Sequence, residues 1–471
     1  MLFSTDLIRR YKLLAACLLV LLIAACGGGG GGSSSSTPPA NGGGTTAPPV
    51  GIVSPMGCGT VTATGSGNAT PIVVDGFPCA AAGAAGIANS PQVPYVSVKI
   101  CAPGTSTCQT IDHVILDSGS SGLRIAASAL ATGLRPGAGL PYYTGASATG
   151  SNLTECELYV ASFVYGPIVN VDVYIAGESV KNTQIQVFGD TNYPANADCK
   201  SQAGTGTETD TVALFGGNGL LGVNFAPFDG GAPYYDCNGT PPVCTLNTNF
   251  TFQGIPNIVT QFATDNNGVA ISLPAISATG TNTPVSGTLY FGIGTQTNNQ
   301  PLANTMAIQS DGNLSSATFG TFEVQVDGGS WTSAYIDSGT GNAYFSDSAN
   351  AKLIACTASN FSGWYCPVST QSVALNYANF NPAATYNTAS TLGTINLSVA
   401  NPNYLTNNTI AFDNIAGTSG KTATISSEVA LGLTTFFGHT NYVLFANMTA
   451  PGANLGGGAT VTGPVNGIQT P

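Results

Sequence analysis

Val, Ile, Thr, Tyr and Phe recur along this chain in short runs broken by Gly, Asn, Pro and Ser, a pattern that suits pleated strands joined by tight turns. It predicts an all-β body with few, short helices. One apolar stretch differs in kind: thirteen consecutive apolar or small residues, Leu13 to Ala25, follow Arg9, Arg10 and Lys12. A charged start and a short apolar run make a secretory leader, too short for a comfortable membrane span. From Gly27 to about Val50 the chain is nearly all Gly, Ser, Thr, Pro and Ala without charge, a composition that cannot bury enough apolar surface to order itself. It reads as a flexible tether with a reach of roughly 25–30 Å.

With 471 residues, 43% of them hydrophobic, the chain is long enough for a large core and for two lobes. Only 7% are charged, which excludes long charge-laced helices and coiled coils. The net charge of -12 excludes nucleic acid as a partner and repels anionic membrane surfaces from the folded part. Losing the leader removes three basic residues and Asp6, so the remainder is more acidic still.

The leader ends Leu22-Ile23-Ala24-Ala25-Cys26, which resembles the lipobox of bacterial lipoproteins. That resemblance implies cleavage before Cys26 and a lipid on its sulfur. With Gly27 next in the chain, it also implies sorting to the outer membrane of a Gram-negative cell, on its periplasmic or its outer face. The lipid would be the chain's contact with the membrane. Ten other cysteines remain once Cys17 leaves with the leader, an even number that suits disulfides in an oxidising compartment. Three pairs are close in sequence: Cys101 with Cys108, Cys237 with Cys244, and Cys356 with Cys366. The pairing of Cys58, Cys79, Cys156 and Cys199 stays open. No C-x-x-C occurs and the two histidines, His113 and His439, stand apart from any cysteine pair, so no metal and no cofactor is expected.

Two segments repeat one another. Ile115-Leu116-Asp117-Ser118-Gly119-Ser120 and Tyr335-Ile336-Asp337-Ser338-Gly339-Thr340 each place an apolar run before Asp-Ser-Gly and a hydroxyl. A carboxylate at the end of a buried strand needs hydrogen bonds in compensation, and the following Gly lets the backbone turn so that amides and the next hydroxyl face it. The repeat extends further. Leu220-Leu221-Gly222 ends 105 residues after Asp117, and Ala430-Leu431-Gly432 ends 95 after Asp337.

This doubled pattern resembles the pepsin-like aspartic peptidases, whose two lobes each supply an Asp-Thr/Ser-Gly loop and a later hydrophobic-hydrophobic-Gly strand. The likeness runs from about residue 90 to 450 and includes Asp172–Gly177, Ile255–Phe262, Gly287–Gly292 and Phe436–Phe445. It implies a bilobal, mostly β fold with pseudo-two-fold symmetry: leader 1–25, lipidated Cys and tether 26–50, N-terminal lobe 51–292 and C-terminal lobe 293–471. It implies an endopeptidase acting as a monomer on an extended polypeptide, with Asp117 and Asp337 as the catalytic pair. Two carboxylates that close cannot both ionise cheaply, so aspartic peptidases share one proton between them. Ser120 and Thr340 then hold the outer carboxylate oxygens, Ser118 and Ser338 stand where the family's crossed hydroxyl pair links the two loops, and Gly119 and Gly339 support the dyad.

Three features depart from that pattern. No Tyr-Gly-Thr/Ser-Gly flap string occurs, leaving Tyr159 and Tyr165 as alternative flap tyrosines. Arg124 stands where the family tends to carry Trp; it pairs with a carboxylate or the substrate, shifting the dyad's acidity, or else bonds nearby carbonyls. The extra length around Cys199, Cys237 and Cys244 is expected to wall or cover the cleft. A catalytically inactive binding protein on the same fold is the alternative reading. Ser118 as a serine-hydrolase nucleophile lacks a base and a Gly-x-Ser-x-Gly elbow. Elsewhere Asp112 and His113 are expected as a pair on a strand surface, Trp331 and Trp364 as packing or rim aromatics, and the tail from Gly456 as a last strand or a frayed end.

Overall fold

The computed structural model describes residues 64–77 and 90–470, apart from 146, 148, 149, 160, 249–251, 317, 348–351, 358–360, 382–389, 406–408, 419–428 and 457. The leader, Cys26, the tether, Cys58 and Cys79 lie outside the described residues. Strands dominate, as the pattern of short β-branched and aromatic runs requires. The α-helices among the described residues are the short Ala197–Ala203 and Val212–Phe215. No helix there is long and apolar enough to cross a membrane.

One three-strand unit occurs twice. In the first lobe the strand Cys108–Asp117 runs parallel to Gly219–Val223, which pairs antiparallel with Ser121–Ala126 on its other side. In the second, Trp331–Ile336 runs parallel to Val429–Leu431, which pairs antiparallel with Ala343–Phe345. The register is the same: Leu116 lies opposite Leu221, and Ile336 opposite Leu431. Both central strands, Gly219–Val223 and Val429–Leu431, are buried throughout, which is why they read as continuous apolar runs rather than as alternation. Each apolar pair must be followed by Gly because the Asp loop folds back across it. A Cβ on Gly222 would stand 2.6 Å from the Ser120 carbonyl oxygen, and one on Gly432 would stand 2.5 Å from that of Thr340.

The first unit belongs to a sixteen-stranded sheet that continues through Ser90–Cys101, Ala69–Phe77, Val285–Phe291, Gly268–Ser272, Thr440–Leu444 and Val465–Gln469 to Thr305–Gln309. Strands from the beginning, middle and end of the chain interleave there, so the tail past Gly456 supplies an inner strand. The second unit sits in a seven-stranded sheet. Gln92 fastens the two parts together: its amide group bonds both the carbonyl and the N–H of Phe412, 320 residues away. A main core runs through both sheets, with Leu116, Leu123, Leu221, Phe322, Phe345 and Leu431 all buried; each contributes roughly 1.5–3 kcal/mol. A satellite core of Phe163, Tyr165, Tyr193 and Tyr235 surrounds the Cys156–Cys199 disulfide.

The three sequence-local disulfides form, and Cys156–Cys199 adds a fourth. Trp331 is buried, and Trp364 packs beside Phe361 and Phe412. One expectation fails. Asp112 and His113 are buried, not a surface pair, because the register of Cys108–Asp117 against Ser90–Cys101 slips between Val96 and Val98. His113 has a φ of 48°, and the bulge there interrupts the regular alternation of the strand. Both are then enclosed, and His113 meets Asp75 as well.

Candidate active site

Each Asp loop closes on its own carboxylate. The Gly119 amide donates to Asp117 Oδ1 at 2.7 Å, and the Ser120 hydroxyl donates to Asp117 Oδ2. In the second loop the Gly339 amide donates to Asp337 Oδ1 and the Thr340 hydroxyl to Asp337 Oδ2, both at 2.8 Å. The two loops are then tied across the lobes. The Ser118 amide donates to the Ser338 hydroxyl oxygen at 3.0 Å, and the Ser338 amide to the Ser118 hydroxyl oxygen at 2.9 Å. Those hydroxyls donate onward to the Ile336 and Leu116 carbonyls, so all four polar groups are satisfied inside the core.

This arrangement brings Asp117 and Asp337 together, both essentially inaccessible to solvent. Their carboxyl groups are close enough to interact directly, and two such groups share one proton more cheaply than they both ionise. Burial holds the Asp337 carboxyl well above the usual carboxylate range, and the adjacent Asp117 charge and hydrogen bond push the same way against Thr340 and Gly339. Gly119 is packed so closely on the Asp337 carboxyl that a Cβ would stand 2.8 Å from it, so the two loops meet at the smallest residue.

The structure separates the two tyrosines. Asn152–Leu158 and Ser162–Ile175 form a hairpin with Leu158 opposite Phe163, and the Tyr159 amide donates to the Ser162 carbonyl at its tip. Tyr159 is within electrostatic range of Asp117, and burial pushes its phenol well up, Arg124 opposing and Glu157, Asp117 and Glu155 reinforcing. Tyr165 lies farther along the hairpin, bonded to Thr154 in the satellite core. Of the two, Tyr159 is the one at the hairpin tip.

Arg124 is completely buried and ion-paired with Glu155 at 3.0 Å, Glu157 at 3.3 Å and Asp229, while it also donates to the Ser121 carbonyl. Its charge is taken up by these carboxylates, so both the carboxylate and the carbonyl options for this residue are realised at once. Burial raises Glu155 to about 7 despite Arg124, with Glu157 adding and the Tyr234 hydroxyl opposing. Glu155, Glu157, Asp229 and Tyr234 were not singled out from the sequence. Their signal was Glu155-Cys156-Glu157, two acids on one face of a strand in a chain with so few charges. Oxygens of Glu155, Glu157 and Asp229 lie within 4.8 Å of one another, a spacing that suits a cation; the Arg124 guanidinium already fills that role.

Beside the dyad loop opens a cavity of about 380 Å³ lined by Ser118–Ser121, Glu157, Leu158, the segment 224–232, Gln253, and Leu314, Phe319, Gly320, Tyr335 and Ile336. The segment 224–232 walls it; Cys199 and the Cys237–Cys244 hairpin are not part of this lining.

Fold and site together define a mostly β, two-lobed protein with an aspartate pair at the junction of its repeated units. Residues 65–462 match the family described as "Protein of unknown function (DUF3443)", and the chain belongs to that family. No curated protein sequence matches it. Among solved structures it is similar to a crystal structure of an aspartic proteinase from Irpex lacteus, at 14% identity over 80% of this chain and 94% of that one, with a TM-score of 0.45.

Proposed function

We propose that the chain is an aspartic endopeptidase that hydrolyses peptide bonds with Asp117, Asp337 and an activated water. The observation that carries this reading is the buried, adjacent carboxyl pair, one from each lobe, each oriented by its own amide and hydroxyl. Two carboxyls sharing one proton supply a base and an acid in one site. The ionised partner removes a proton from water as it attacks the scissile carbonyl, and the protonated partner donates to the carbonyl oxygen. The raised Asp337 carboxyl suits the proton-donor role. No covalent intermediate, metal or cofactor enters this scheme. An extended polypeptide would lie along the cleft as an added strand under the hairpin tip of Tyr159. The leader and Cys26 support export and lipid anchoring at the outer membrane.

The test is cleavage of denatured casein by the purified chain from pH 3 to 8, with and without pepstatin, beside Asp117→Asn. Activity abolished by both the inhibitor and the substitution supports the dyad. A folded, disulfide-bonded protein with no cleavage anywhere in that range would leave the fold as a binding cleft.

A further inference from the structure

The cavity beside the dyad loop has apolar walls, Phe225, Phe228, Phe319 and Ile336 among them, yet the two charged residues in its described lining are both acidic, Glu157 and Asp229. Each shares Arg124 with the fully buried Glu155, so three carboxylates face one guanidinium and the wall keeps an excess of negative charge even with one of the three protonated. Two atoms behind this wall, on residues outside the lining itself, have no hydrogen bond. Glu155 Oε2 is buried without a hydrogen bond, and so is the hydroxyl of Tyr159 at the hairpin tip, within electrostatic range of Arg124, Glu157 and Asp117. An apolar ligand filling this space would strip water from carboxylates and return nothing to them. A ligand with an aliphatic stem and a cationic head matches both the walls and the charge.

We infer that this cavity is a subsite for a lysine or arginine side chain of an extended polypeptide, its stem against Phe225, Phe228 and Phe319 and its head at Glu157 and Asp229. The inference rests on the proposed peptidase reading and names its substrate class: polypeptides with a basic residue at one fixed position from the scissile bond. The net charge of -12 would also draw basic chains toward the cleft.

Binding tests the subsite apart from catalysis. Peptides of one sequence carrying Lys, Met or Glu at successive positions are titrated by fluorescence anisotropy into the full-length Asp117→Asn variant. At one position Lys should bind about tenfold tighter than Met, and Glu weaker than both. In the Glu157→Gln or the Asp229→Asn background the Lys-to-Met ratio should fall to about threefold or less. Equal affinity for Lys and Met at every position, or a ratio unchanged in both backgrounds, overturns the subsite. Cleavage by the unsubstituted chain separates the two ideas. Lys-selective binding with no cleavage of any peptide keeps the subsite and sinks the peptidase; cleavage indifferent to Lys does the reverse.

Discussion

Ser118 and Ser338, 220 residues apart, each donate a backbone amide to the other's side-chain oxygen. This reciprocal pair holds the two Asp loops in register, because each serine immediately follows its aspartate. The dyad's geometry therefore depends on two hydroxyls that never need touch a substrate.

Replacing either serine by alanine leaves a buried amide without its acceptor and a carbonyl without its donor. Ser118→Ala and Ser338→Ala should each cost about 2–3 kcal/mol in urea unfolding. The double variant should cost clearly less than the sum, since each single change already breaks part of the same network. Strict additivity would show that the loops are held by something else.

Asp337→Asn should cut peptide hydrolysis by at least about 10²–10⁴, and Asp117→Asn likewise. Its effect on stability should depend on pH. Asp337 is raised in the folded state, so its favourable contribution is full below the ordinary carboxylate pKa and is lost as pH rises toward its folded value. Asp337→Asn should thus match the parent in thermal unfolding near pH 3 and exceed it at neutral pH. A variant less stable than the parent at pH 7 would contradict a strained pair.

His113 gains its stability from neighbouring charge instead. Burial lowers its pKa, but hydrogen bonds and charge from Asp112 and Asp75 outweigh burial and lift it from 6.5 to about 9. A raised base stabilises fully below pH 6.5 and loses that contribution, about 3 kcal/mol, as pH rises through about 9. Chemical denaturation of His113→Gln against the parent at pH 6 and pH 10 should show the gap closing at the higher pH.

Arg124→Met would leave Glu155, Glu157 and Asp229 facing one another without a cation. The expected cost is about 3–5 kcal/mol at pH 7. Adding Glu155→Gln should recover part of it, because one buried charge is then removed. Arg124→Lys should rescue poorly: one ammonium on a flexible stem does not replace a planar fork reaching three carboxylates and the Ser121 carbonyl. Differential scanning calorimetry of the parent and these three variants distinguishes a charge hub from a mere space-filler.

Local signals made much of this protein legible. Short β-branched runs with Gly and Pro between them determine a β body, because they meet the steric demands of strand and turn within a few residues. The doubled Asp-Ser-Gly loop with its later apolar-apolar-Gly strand marks the candidate dyad, since each copy carries its own hydrogen-bond donors in sequence. Disulfides spanning seven to ten residues follow from proximity along the chain. What only the tertiary structure decided depends on residues brought together from afar. It puts Tyr159 rather than Tyr165 at the hairpin tip, since hairpin register sets which residue reaches it. It pairs Cys156 with Cys199 across 43 residues, and it encloses Asp112 and His113 through a bulge that strand alternation cannot announce. Arg124 found three carboxylates from a strand and a loop that its own strand could not specify. A sequence states each group's chemistry and its local geometry, whereas charge compensation in a core is settled by which distant groups packing places within hydrogen-bond reach.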